Sequence, residues 1–175
     1  MIRRNVLLSE MSMPNEVFPI EGGCTCRAVR YRLLSRPLFV HCCHCTWCQR
    51  ETGSAFALNA MIEADRVVCS GEVDVVHTPS NSGKGQKITR CPQCRIAVWS
   101  SYSGAGDAIR FVRVGTLDQA FQVPPDIHIY TSTKQPWVAL PAGTPAVSEY
   151  YDRKAYWPQD SLQRREALLA ATART

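Results

Sequence analysis

A chain of 175 residues, 45% hydrophobic and 20% charged, has the size of one ordinary domain and the balance of a globular protein, which excludes a disordered chain. Its apolar runs, residues 6–8 and 54–62 among them, fall far short of the roughly 18–20 residues that cross a bilayer, and no secretory core follows Arg3 and Arg4. The net charge of +5 is spread over residues such as Arg27, Arg50, Lys84 and Arg110, without a block of about five or six, so neither a membrane nor a nucleic-acid partner is indicated and the expected compartment is the cytoplasm.

Along the chain, residues 1–16 read as a flexible lead-in, 17–158 as the folded domain and 159–175 as a helical tail. Val29, Tyr31 and Leu33 alternate with Arg30 and Arg32, the period of two that buries one face of a strand and wets the other. A short apolar run follows at 38–42, and Phe56, Leu58, Ala60 and Ile62 alternate again. Further short strands are expected at 67–69, 73–77, 88–90, 96–100, 109–114 and 127–130. Residues 79–85 and 103–107, rich in Ser, Asn and Gly, read as loops, and 134–145, with Pro136, Pro141 and Pro145, as extended chain. One helix is expected, over 160–172, capped by Asp160 or Ser161. The fold class is therefore mainly β, with a short C-terminal helix.

Seven of the nine cysteines fall into three clusters: Cys24 with Cys26, then Cys43, Cys45 and Cys48, then Cys91 with Cys94. Nine is odd and no export signal is visible, so metal ligation explains the pairs better than disulfides do. Cys24 and Cys26, two apart in an extended segment, point to one face, and Cys91 and Cys94 bracket a knuckle turn. Together they make a four-cysteine structural zinc site, and Cys43, Cys45 and Cys48 make a second, open one, for two zincs per chain. Cys42 could close the second site with a thiolate, or His41 or His44 with a nitrogen, although strand alternation turns Cys42 and His44 away from it. Cys69 reads as a buried core thiol.

A zinc with three thiolates is too electron-rich to favour hydrolysis by a metal hydroxide. It accepts a fourth, substrate thiolate instead, and thiol chemistry is expected. Trp47, Trp99, Tyr102 and Trp137 are candidate walls of a pocket beside such a metal.

The segments Gly22-Gly23-Cys24-Thr25-Cys26, Cys43-His44-Cys45-Thr46-Trp47-Cys48 with Thr52-Gly53-Ser54, Cys91-Pro92-Gln93-Cys94, and His128-Ile129-Tyr130 through Trp137 resemble the glutathione-dependent formaldehyde-activating family, which includes centromere protein V. The resemblance implies a β-tent of small antiparallel sheets, a structural zinc on Cys24, Cys26, Cys91 and Cys94, and a catalytic zinc on Cys43, Cys45 and Cys48. It implies a carbon-sulfur lyase whose partners are glutathione, or another small thiol, and formaldehyde or a similar aldehyde; the two glutathione carboxylates would need cations, for which Arg50 and Lys134 are the candidates. The chain departs from the family pattern at Arg27 and Arg95, where glycine is usual. A noncatalytic zinc module that binds a protein or nucleic acid is the alternative from a different class.

Overall fold

The computed structural model describes residues 18–104 and 106–172, so the expected lead-in over 1–16 lies outside the described residues. The chain is mainly β. Among the described residues ten strands make two sheets, a small one of β1 (Ile20–Gly23), β2 (Arg30–Leu33) and β5 (Val67–Ser70), and a large one. The large sheet runs in the order β10 (Ile127–Ile129), β3 (Phe39–Cys43), β4 (Ala57–Glu63), β9 (Ile109–Arg113), β8 (Ala97–Tyr102), β7 (Gln86–Arg90), β6 (Asp74–Thr78). Among the described strands the pairings are antiparallel except that β10 lies parallel to β3, with Ile129 opposite Cys43. The helices are α1 (Thr46–Thr52), α2 (Arg153–Tyr156) and α3 (Gln159–Thr172). No helix among the described residues is long and apolar enough to cross a membrane.

Alternation within strands sorts side chains between two cores. In β2, Tyr31 and Leu33 are buried and Arg32 is exposed, as a period of two requires. They join Val40, Ala60, Val98 and Val112 of the large sheet in a cluster shared by both sheets. Gly22, paired with Tyr31, leaves room for it: a Cβ there would stand 2.7 Å from the tyrosine hydroxyl, which bonds the Thr116 hydroxyl at 2.6 Å. On the opposite face of the large sheet, Phe39, Cys43, Ala57, Met61 and Ile109 pack with Trp157 and against Leu162 and Leu168. Val40 and Cys43 thus serve different cores, and the second, under the C-terminal helices, is the one that holds the middle cysteines.

The C-terminal segment is fastened by polar contacts as well. Glu63 is 4% exposed, and Arg164 of α3 donates to both its carboxylate oxygens, from Nε at 2.9 Å and Nη2 at 2.7 Å. The Trp157 indole donates to the Tyr151 hydroxyl at 2.7 Å, and that hydroxyl also bonds His41.

A candidate metal centre with an adjoining cavity

The four cysteines at the sheet edges lie in two turns of the same design. Cys24 and Cys26 sit between β1 and β2, not on a strand as their spacing suggests, and Cys91 and Cys94 sit between β7 and β8. In each turn the first cysteine's amide donates to the carbonyl five residues on, Val29 or Ile96, at 3.0 Å, and the chain passes through a left-handed residue. Those residues are Arg27, φ +64°, and Arg95, φ +62°, the two positions where the sequence departs from glycine. The four Sγ atoms lie within 4.8 Å of one another, with Cys24 to Cys26 at 3.5 Å and Cys26 to Cys91 at 3.6 Å. Zinc–sulfur bonds of ordinary length set tetrahedral S···S edges of about 3.8 Å, so this set fits a closed four-thiolate site. The Val29 amide donates to Cys24 Sγ at 3.3 Å, and backbone amides at Cys26 and Ile96 hold the Cys94 thiol down to about 6.

The middle cluster is assembled from a strand end and a helix start. Cys43 closes β3, Cys45 is the N-cap of α1, and Cys48 lies in its first turn, its amide donating to Cys45 Sγ at 3.4 Å. Sequence periodicity misses α1, in which only Cys48 is buried; Gly53, left-handed at φ +62°, is the helix-stop signal. The three Sγ atoms again lie within 4.8 Å, and all three residues are buried. Contacts from Cys43 and Cys48 drive the Cys45 thiol far below the ordinary cysteine range, and Cys43, facing Cys45, is pushed up.

Cys42 and His44 do not join this set. His44 Nε2 stands 3.6 Å from Cys42 Sγ and 3.0 Å from Nδ1 of His128 on β10, and the three form a separate buried group. Cys69, expected in the core, is only partly buried and contacts the backbone of Ser70. The late motif has a positional task. Gln49 Nε2 donates to the His44 and Thr133 carbonyls at 2.6 and 2.9 Å, and Gln135 Nε2 donates to Gln49 Oε1 at 2.7 Å, clamping 131–135 onto α1.

Arg113, which sequence reasoning passed over, supplies the test of whether the middle cysteines suit a metal. It is 7% exposed and lies on the face of β9 shared with Ile109 and Phe111. Its guanidinium donates only to neutral groups, Asn59 Oδ1 at 2.5 Å and Ser100 Oγ at 3.1 Å, and its Nε has no partner. No carboxylate pairs with it among the described residues, and its charge reaches Cys48 and the Tyr102 hydroxyl. A buried cation needs a counter-charge. Three thiolates around a divalent metal carry a net charge of minus one, so the residues fit a metal–thiolate centre that Arg113 neutralises.

Cys43, Cys45 and Cys48 line a cavity of about 450 Å³, within the ordinary range for small-molecule sites. Trp47, Tyr102, Phe111, Tyr130 and Tyr150 supply aromatic walls. Of the other expected wall residues, Trp99 is in the shared core edge-on to Tyr31, and Trp137 is 75% exposed. Neither expected cation reaches the cavity. Lys134 Nζ is bound to the carbonyls of Gln135 and Val138 at 3.0 and 2.7 Å, and Arg50 lies on the outer face of α1. The cations that do line it are Lys84, Arg153 and Arg165.

The family described as glutathione-dependent formaldehyde-activating enzyme matches residues 19–133. That span takes in all three cysteine motifs and stops short of α2 and α3. A Halomonas elongata protein, whose name assigns it provisionally to glutathione-dependent formaldehyde activation, is 26% identical over 130 residues, covering 69% of this chain and 80% of that protein. A solved structure of a Rhodobacter sphaeroides protein aligns with a TM-score of 0.43 at 20% identity, over 57% of this chain and 88% of that one.

Proposed function

The chain belongs to the glutathione-dependent formaldehyde-activating family, and on that premise we propose that it is a carbon-sulfur lyase joining a small thiol of the glutathione class to formaldehyde or a similar aldehyde. Cys43, Cys45 and Cys48 would hold the catalytic zinc, and Cys24, Cys26, Cys91 and Cys94 the structural one. The observation that carries this reading is the middle cluster itself: three buried cysteines line a cavity, while Cys42 and His44 form a separate group with His128 and the His41 ring bonds the Tyr151 hydroxyl.

Zinc held by three thiolates supplies a soft acceptor that keeps a substrate thiol deprotonated and still nucleophilic. The chain's own residues do the rest. Arg113 offsets the negative charge, and the apolar walls at Trp47, Ile109 and Phe111 exclude water and hold thiol and aldehyde together. The sulfur attacks the carbonyl carbon, a C–S bond forms, and the C=O π pair moves to oxygen. That oxygen then needs a proton. Burial pushes the Tyr102 hydroxyl up, so it is protonated at neutral pH, and it lines the cavity on the side of the cysteines that perturb it. It is the candidate donor, and the proton released by the substrate thiol restores it.

The test is the rate at which labelled formaldehyde exchanges with its glutathione adduct, followed by NMR with and without the metal-loaded protein. Tyr102→Phe is expected to slow the catalysed exchange about a hundredfold while the metal content stays at two per chain. A two-metal protein that leaves the exchange at its spontaneous rate would return the chain to the noncatalytic module.

A further inference from the structure

Two guanidinium groups of the cavity wall are held in no ion pair among the described residues, Glu166 acting on Arg165 only through space. Arg153 opens α2 and Arg165 lies in α3, and both line the cavity that holds Cys43, Cys45 and Cys48. Arg153 Nε is buried without a hydrogen-bond partner. Among the described residues no carboxylate forms an ion pair with either guanidinium, whereas the neighbouring Arg164 is paired with Glu63 and also donates to the Arg36 carbonyl at 3.0 Å. That commitment fixes the rotation of α3 about its axis, and with it the side on which Arg165 emerges. The two arginines act on each other: burial and then the nearby Arg153 pull Arg165 down from its usual value. The same Arg153 charge reaches His41 and the Tyr150 hydroxyl. Two half-buried like charges facing one cavity are costly unless an anion joins them.

We propose that Arg153 and Arg165 form a carboxylate subsite in the wall of the cavity that also holds the three cysteines, so that the chain takes a thiol bearing an acid group and reads both groups. Planar guanidinium forks match a carboxylate's two oxygens, and a pair of them fixes its orientation. The subsite belongs to this chain's own C-terminal segment, because the family match ends at residue 133. It also explains why the carboxylate partners expected from the sequence, Arg50 and Lys134, are placed elsewhere. The proposal rests on the thiol reading of the cysteine cluster for the ligand's other end.

Binding calorimetry on the full, metal-loaded chain separates the two ends. The probes are S-methylglutathione, which keeps the carboxylates and has no free thiol, and glutathione diethyl ester, which keeps the thiol and has no free carboxylate. S-methylglutathione is expected to bind the wild type and to weaken about tenfold or more in Arg153→Gln and in Arg165→Gln, with part of the loss restored in Arg165→Lys. The diethyl ester is expected to be indifferent to all three changes. Circular dichroism establishes that each variant is folded, and Arg165→Lys keeps the charge should the glutamine variant unfold. The subsite is overturned if S-methylglutathione fails to bind the wild type, or binds wild type and variants alike. With cobalt in place of zinc, a metal spectrum blind to both glutathione and its ester sinks the thiol reading alone, and the loss of S-methylglutathione binding in the variants still establishes the subsite.

Discussion

Replacing Arg27 by glycine should stabilise the protein, and replacing Arg95 should not, although both residues occupy the same left-handed conformation in turns of the same design. At φ +64° and +62° an L-residue costs about 1–2 kcal/mol relative to glycine. Glycine returns about half of that through its greater freedom in the unfolded chain, leaving a net gain of about 0.5–1 kcal/mol at each site. The surroundings then separate the two. Arg27 is exposed and exerts only a through-space attraction on Asp118. Arg95 is ion-paired with Asp74 on β6, both partners about half exposed, a contact worth about 0.2–1 kcal/mol that cancels the gain. In a protein of this size 1 kcal/mol moves the melting temperature by about 2–4 °C. Thermal unfolding of the metal-loaded protein, followed by circular dichroism, should therefore show Arg27→Gly about 2–3 °C above wild type and Arg95→Gly within a degree of it. If Arg27→Gly melts lower than wild type, and high salt abolishes the deficit, the cation matters more to the adjacent thiolates than the backbone does, and the conformational reasoning fails.

Other substitutions probe other parts of the structure. Arg113→Met removes the buried counter-charge, and chelator competition should find metal at the middle cysteines released at least tenfold more readily, with the four-cysteine site unchanged. Cys24→Ser should leave a chain that does not fold cooperatively, since structural zinc contributes about 10 kcal/mol or more, whereas Cys45→Ser should keep its circular dichroism spectrum and lose one metal of two. Arg164→Ala leaves Glu63 buried with only the more distant Arg66, at 3.5 Å, and should cost about 3 kcal/mol. Hydrogen exchange should locate that loss first in α3.

The sequence announces what depends on short spacing and conceals what depends on register. Alternation at 29–33 and 56–62 is visible because each strand has one wet face or one apolar face, and β2 and β4 lie there. Strand β1 is hidden by Gly22 and Gly23, poor strand formers at places where a Cβ would meet Tyr31 and the Val29 carbonyl respectively. The cysteine clusters are legible because each is local or paired. The buried role of Arg113 is legible only if its position two residues after Phe111 is weighed above its charge. Arg153 and Arg165 read as surface charges, and nothing short of the docking of α3 through Arg164 and Glu63 turns them toward a cavity. His128 likewise needs the parallel pairing of β10 with β3, across 84 residues, before it reaches His44.

The two cysteine sets also differ in how much chain each one ties. Cys43 to Cys48 is a local loop, while Cys26 and Cys91, 3.6 Å apart through sulfur, are separated by 65 positions. A metal bridging the latter acts as a cross-link, and closing a loop of that length removes entropy from the unfolded chain worth about 4 kcal/mol. On the proposed assignment, loss of the bridging metal would therefore be felt as loss of the folded protein, and loss of the metal at Cys43, Cys45 and Cys48 as an empty active site in a chain that stays folded.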